Sequence, residues 1–158
     1  VGIGTAAAPN GSAAGFWFSS DQFYTSTAGT GANYQVRMYN GNGLVGSIVT
    51  DGSATAFNTS SDYRLKENVS YTWDATTRLK KLKPARFNFI ADDTNTLVDG
   101  FLAHEVSSVV PEAITGEKDG EEMQSIDQSK IVPLLVKALQ EQQTTIEALT
   151  ARITTLEG

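Results

Sequence analysis

The sequence holds no cysteine, which excludes a disulfide framework and thiolate metal sites and leaves the redox compartment open. Its one histidine, His104, cannot by itself make a zinc site of the usual His-rich kind, so neither a metal nor a cofactor is expected. No apolar run approaches the roughly 20 residues needed to span a bilayer, and the first residues lack the basic start and apolar stretch of a signal peptide. A membrane partner is therefore not expected, and the chain reads as an excised piece of something longer. Basic residues are outnumbered: the net charge of −6 argues against a nucleic-acid partner, which needs clustered Lys and Arg to neutralise phosphates. The densest basic run, Arg78-Leu-Lys-Lys-Leu-Lys83, is short, is interleaved with leucines and reads as the solvated side of a helix. What remains is a chain of 158 residues with 40% hydrophobic content, enough for one modest core or two small ones.

Charge is also nearly absent from the first part of the chain. Residues 1–60 contain only Asp21, Arg37 and Asp51, whereas residues 61–158 contain the other 27 charged side chains. The first segment is rich in Gly, Ala, Ser, Thr and Asn. Short apolar pieces, Gly15-Phe-Trp-Phe18, Tyr34-Gln-Val-Arg-Met-Tyr39 and Leu44-Val-Gly-Ser-Ile-Val49, lie between Gly/Asn turns and read as strands. With so few large aliphatic residues they bury little alone, so this part is expected to pack against copies of itself as the end of a fibrous β-stalk. A small independent β-domain or a flexible linker has the same composition.

Residues 61–158 read as α+β. Ser60-Ser61-Asp62 supplies caps for a short helix or turn over Tyr63 to Asn68. Asp74 caps a second helix through Leu79 and Leu82, stopped at Pro84. Phe87, Phe89 and then Val98 to Leu102 suggest two strands around the polar turn Asp92-Asp-Thr-Asn95. A helix from about Ala103 to Val109 ends before Pro111, and a hairpin turns at Lys118-Asp-Gly120. At the end, Leu135, Leu139, Gln142, Ile146, Leu149, Ile153 and Leu156 are spaced alternately by four and three, a heptad seam. A coiled-coil helix is expected over about 132–157, because a lone helix would leave this stripe in water. Ile at a with Leu at d leans, if anything, towards two strands, so the pattern sets no chain number. Pro133 is placed either in the first turn of a helix starting near Val132, or as a kink in one capped by Asp127.

Chemistry concentrates in Ser61-Asp-Tyr-Arg-Leu-Lys-Glu-Asn68. A serine hydroxyl is a poor nucleophile until a base takes its proton, and Lys66 serves only when neutral, a state favoured by burial or by a nearby cation such as Arg64. Five residues put Ser61 and Lys66 on different faces of a regular helix or strand. Pairing them needs an irregular backbone or a neighbouring chain. Taken alone, Ser-x4-Lys is a weak pattern that a helix cap followed by solvated charges also satisfies.

The wider context is more specific. That octapeptide, then Leu79-Lys-Lys-Leu-Lys-Pro84, Phe87-Asn-Phe89, Gly100-Phe-Leu-Ala-His-Glu-Val106 with Pro111, and Ile131 to Gln143, together resemble the endosialidase-type C-terminal intramolecular chaperone, the S74 peptidase family of phage tail spikes and fibres. The same domain is similar to the self-cleaving part of the myelin regulatory factors. The resemblance spans about residues 59–157, and Val1-Gly-Ile-Gly-Thr5 and Gly46 to Ser53 look like the fibre repeats that commonly precede such a domain. It implies a trimer joined by its C-terminal helices, which templates the upstream β-structured fibre of the same chain in the host cytoplasm and then cuts itself off before virion assembly. The cut falls between Ser60 and Ser61, with Ser61 as nucleophile and Lys66 as base; Asp62, Arg64 and Asn68 position the loop. His104 stands where the family usually has glutamine, and no catalytic role is assigned to it. The domain limits that follow are 1–60 for the stalk end and 61–158 for the chaperone.

Two other classes compete. A permanent trimerisation cap or receptor-binding tip would keep the fold without cutting, and intact Ser61 and Lys66 speak against it. A glycan-cleaving enzyme needs two positioned carboxylates, but Asp92, Asp93, Glu121 and Glu122 lie in polar, turn-like stretches.

Overall fold

In a computed structural model of the chain, residues 15–18 and 23–158 are described; the fibre-repeat reading of residues 1–5 lies outside them. The chain divides into two units, Val1–Val69 and Ser70–Gly158. Residues 61–69, which carry the serine motif, lie with the strands of the first unit.

Up to Thr59 the described part of the first unit is built of antiparallel strands. β1 (Gly15–Phe18) pairs with β2 (Phe23–Ser26). β3 (Asn33–Asn40), β4 (Gly43–Asp51) and β5 (Ala54–Thr59) form a meander with β4 in the middle. The β4–β5 loop turns at Gly52, whose φ of +56° is the left-handed conformation that glycine adopts without a Cβ clash. Only Ser47 is buried in this meander, with its hydroxyl accepting from Asn58 Nδ2 at 3.4 Å. Every residue of β5 is exposed, Phe57 to 79%. Three strands that no other described element covers are marginal alone and present an open edge.

The second unit is mixed. α1 (Ala75–Leu79) is capped by Asp74, which accepts from the Thr77 amide at 2.9 Å. The helix stops at Leu79 rather than running to Leu82: the next residues close tight turns, with Lys81 N–H on Arg78 O and Leu82 N–H on Leu79 O. β6 (Ala85–Phe87) pairs with β7 (Val98–Gly100). Phe89, expected in a strand, lies beyond β6 and rests edge-on against Phe87 at 5.4 Å between ring centres. The intervening turn is organised by Asp92, which accepts from the amides of Thr94 and Thr96.

α2 (Ala103–Val106) is shorter than expected and gives way to turns before Pro111 opens a 3-10 turn over Pro111–Ala113. β8 (Ile114–Thr115) and β9 (Ser125–Ile126) form the expected hairpin, only two residues to a side. Asp127 caps a 3-10 turn over Gln128–Ile131, and α3 (Val132–Glu157) follows with Pro133 in its first turn. Each sequence-based placement of Pro133 thus holds part of the answer. Arg78 departs from a purely solvated reading, since its Nε donates to Val109 O at 2.7 Å.

The core of the second unit is small: Ala75, Val106, Val109, Val110, Ala113, Ile131, Leu134 and Ala138. Ile131, Leu134 and Ala138 make an inner stripe on the long helix at spacings of three and four, and the next position on that stripe is Glu141. Its carboxylate accepts from the Ala75 amide at 3.1 Å, the Thr76 amide at 2.8 Å and the Thr76 hydroxyl at 2.7 Å. A helix start leaves its first amides unpaired, and Glu141 satisfies two of them while adding a negative charge at the positive end of α1. These bonds, the Thr76 hydroxyl first, hold the Glu141 carboxyl below the usual glutamate range. A carboxyl so depressed in the folded state stabilises it above the unfolded value and loses that contribution as pH falls. The Glu141→Gln variant is therefore expected to melt below the parent near neutrality, with the gap closing as pH falls below the ordinary glutamate value of about 4.3. A gap constant with pH would contradict the clamp.

Candidate functional site

The serine motif leaves the sheet where β5 ends. Asp62 is extended, with φ −64° and ψ 136°, and its Oδ1 accepts from the Arg64 amide at 2.9 Å, capping a single 3-10 turn over Tyr63–Leu65. The Leu65 amide reaches Asp62 O at 3.1 Å and the Lys66 amide reaches Tyr63 O at 3.0 Å. Lys66 then returns to extended geometry at φ −125°. A 3-10 turn is tighter than an α-helix, and this one doubles the chain back so that Lys66 Nζ lies 2.8 Å from Ser61 Oγ. The pairing that no regular element allows at this spacing is made by one irregular turn within one chain.

Arg64 forms a fork on Asp62, Nε to Oδ1 at 2.9 Å and Nη2 to Oδ2 at 2.8 Å. A bidentate guanidinium–carboxylate pair fixes direction as well as distance. The same carboxylate therefore caps the turn and orients Arg64, and its charge is engaged by the guanidinium. Arg64 holds the Asp62 carboxyl below the usual aspartate range, through its side chain and then its amide. Asn68 adopts φ +53°, a left-handed conformation that asparagine tolerates, and so turns the chain two residues after Lys66. It makes no hydrogen bond to Ser61 or Lys66 among the described residues. All of residues 61–70 are exposed, including the apolar Tyr63 and Leu65.

The two adjacent serines have different surroundings. Ser60 Oγ donates to Leu44 O at 3.0 Å and its amide to Val45 O at 3.1 Å, both on β4, whereas Ser61 Oγ faces the amine. Sequence reasoning missed this anchor because β5, made largely of small residues, has no clear strand pattern; the Asp51-Gly52 hairpin dipeptide was the available signal. His104 is exposed on α2. Asp92 is taken up by its turn, and Asp93, Glu121 and Glu122 are exposed. The apolar cleft lined by Leu79, Leu82, Pro84, Phe101, Ile131 and Leu135 holds no carboxylate. No group of three or more His, Asp or Glu among the described residues is placed to hold a metal, and no helix among them is long and apolar enough to cross a membrane.

The site thus has the make-up of a serine–lysine pair on a tight turn at the end of a strand. Residues 61–115, beginning at that serine, match the Peptidase S74 family model, described as chaperone of endosialidase. Over those residues the chain is similar to the chaperone domain of this family. No curated protein matches the chain.

Because Arg64 is the main cause of the lowered Asp62 pKa, an NMR titration of the Ser61→Ala chain should place the Asp62 midpoint below that of a free aspartate. Arg64→Ala should move it up towards about 3.9. A midpoint unmoved by that substitution would show that the fork does not form in solution.

Proposed function

We propose that this chain is the C-terminal part of a phage tail fibre or spike. Its chaperone domain gathers three chains through α3, templates the β-structured stalk, and then releases itself by cutting between Ser60 and Ser61. The observation that carries the chemistry is the 2.8 Å approach of Lys66 Nζ to Ser61 Oγ across a single turn.

In the arrangement described, the amine donates to the hydroxyl. Once the amine has lost its proton, it accepts the hydroxyl hydrogen across the same gap and Oγ attacks the Ser60 carbonyl carbon. The C–N bond breaks as Lys66 returns the proton to the leaving Ser61 nitrogen, so the acyl group moves from nitrogen to Oγ. Water then cleaves this ester, leaving a carboxylate on Ser60 and restoring the Ser61 hydroxyl. Asp62 and Arg64 hold the turn that keeps the pair together.

What one chain lacks is burial. Lysine sheds its proton most readily when desolvated, and Lys66 is exposed. Assembly supplies the cover, with Tyr63 and Leu65 as the apolar residues beside the pair that a neighbour would bury. Assembly itself is supported by α3: Leu135, Leu139, Ile146, Leu149, Ile153 and Leu156 are all at least 48% exposed. Cleavage gated in this way makes physical sense, because interchain β-structure is slow to form and prone to aggregation, whereas helices associate through local contacts. Removing the template afterwards leaves a stalk with a higher barrier to unfolding.

The same exposure of Ser61 and Lys66 favours the second reading, a permanent trimeric cap or receptor-binding tip. Intact mass separates the two. The wild-type chain is expected to yield fragments ending at Ser60 and starting at Ser61, while Ser61→Ala and Lys66→Arg stay whole. The rate should rise with pH, since only the neutral amine accepts a proton, and hydroxylamine should trap the ester. A wild-type trimer that stays uncut would select the cap. Replacing Ile146 and Ile153 together with asparagine should abolish both the trimer and the cut; a trimer surviving that change would remove α3 from the account.

A further inference from the structure

Ser60 and Ser61 are neighbours of the same chemical type with different partners. The Ser60 amide donates to Val45 O at 3.1 Å and its hydroxyl to Leu44 O at 3.0 Å. The first bond extends the β4–β5 ladder one rung past the Gly46–Thr59 pair; the second ties the side chain to the adjacent carbonyl of the same strand. Two bonds to consecutive carbonyls fix both the position of the Ser60 backbone and its rotation. The next residue carries the hydroxyl that Lys66 reaches.

We propose that Ser60 is a positioning residue for the cut: it fastens the backbone entering Ser61 to Leu44 and Val45 of β4, so that the serine–lysine pair is aligned only when β5 is paired. The inference rests on the self-cleavage reading and adds to it a second condition, drawn from the strands rather than from the helix. Among the described residues β5 has a single partner, β4, and the Ser60 rung is the last of that pairing before the chain turns away. A chain whose β4–β5 pair has not closed leaves Ser60 unfastened, and Ser61 Oγ then has no fixed approach to the neighbouring carbonyl. The 2.8 Å contact between Ser61 and Lys66 holds the base in place. The Ser60 anchor holds the bond to be attacked. Alignment of reacting atoms is a large component of catalysis by positioned groups, and an anchor made of exposed hydrogen bonds is weak enough to open when the strand is out of register.

The test compares cleavage rates in the trimer fraction of newly synthesised wild type, Ser60→Ala, Ser60→Thr and Ser61→Ala, each followed by intact mass. Ser60→Ala keeps the amide rung and loses the hydroxyl bond, so its rate should fall about 2- to 12-fold, the effect of one neutral hydrogen bond. Its pH profile should be unchanged, because the base is untouched. Ser60→Thr keeps the hydroxyl in a residue that suits a strand and should recover the wild-type rate. In the uncut Ser61→Ala trimer, the Ser60 amide should be protected from hydrogen exchange. Ser60→Ala cutting at the wild-type rate, Ser60→Thr as slow as alanine, or an unprotected Ser60 amide would each overturn the anchor while leaving Ser61 as nucleophile. A chain that is cut with Ser61→Ala but not with Ser60→Ala would reverse the roles of the two serines, and an uncut wild type would remove both the anchor and the self-cleavage reading.

Discussion

The long helix α3 carries two apolar stripes and finds a partner within its own unit for only one of them. Ile131, Leu134 and Ala138 face the core, and the stripe ends at Glu141, whose carboxylate closes the start of α1. Rotated by one residue, about 100° around the helix, runs the second stripe from Leu135 to Leu156, and it stays in water. From Gln142 onwards every residue is exposed. That half of the helix is also intrinsically weak: Thr144, Thr145, Thr150, Thr154 and Thr155 bond back to carbonyls four residues earlier, a habit that bends helices and slightly destabilises them. A stretch of this length and composition is marginal in isolation. The inner stripe is therefore the fixed point: it holds the small core together and presents the outer stripe along an extended seam that other chains can cover.

The two units pose the same physical question in different forms. The second unit has a helix face without a partner. The first has a three-stranded sheet that no other described element covers, with β5 and Phe57 open to solvent. Between the last strand and Val69 lies the serine motif, locally complete in its geometry and fully solvated. Under the proposed function these three exposed features are one arrangement. The helix seam brings chains together, the sheet gains layers from neighbouring copies, and the serine–lysine pair gains the apolar cover that a lysine base requires. On that reading the network of Asp62 and Arg64 builds the turn beforehand, and assembly adds the exclusion of solvent.

Much of this was legible in the sequence where the signal is periodic or rests on a cap. The seam of α3 was visible as a heptad, and its start with Pro133 in the first turn follows from the tolerance of proline there. The caps at Asp62, Asp74 and Asp127 were readable from residue type. The serine–lysine pair could be named but not built, since spacing excluded a regular element and said nothing of the 3-10 turn that joins them. Helix lengths were overestimated at Leu82 and Val109, because leucine and valine continue an apolar pattern through tight turns as readily as through a helix. β5 escaped notice because its Ala and Asn are depleted in strands and Phe57 is its one large apolar residue, and with it went the contacts of Ser60. Glu141 could not be found at all from the sequence: 65 residues separate it from Thr76, and in sequence a glutamate on a helix has no mark that distinguishes a clamp from a solvated charge.

The central claim is that the pair at Ser61 and Lys66 is assembled within one chain but works only after chains associate. The most direct measurement is the cut fraction in freshly translated protein, sampled over time and separated by size, across a range of chain concentrations. The account predicts a lag that shortens as concentration rises, with cut product confined to the trimer. Cleavage that proceeds in separated monomers at a rate independent of concentration would contradict it.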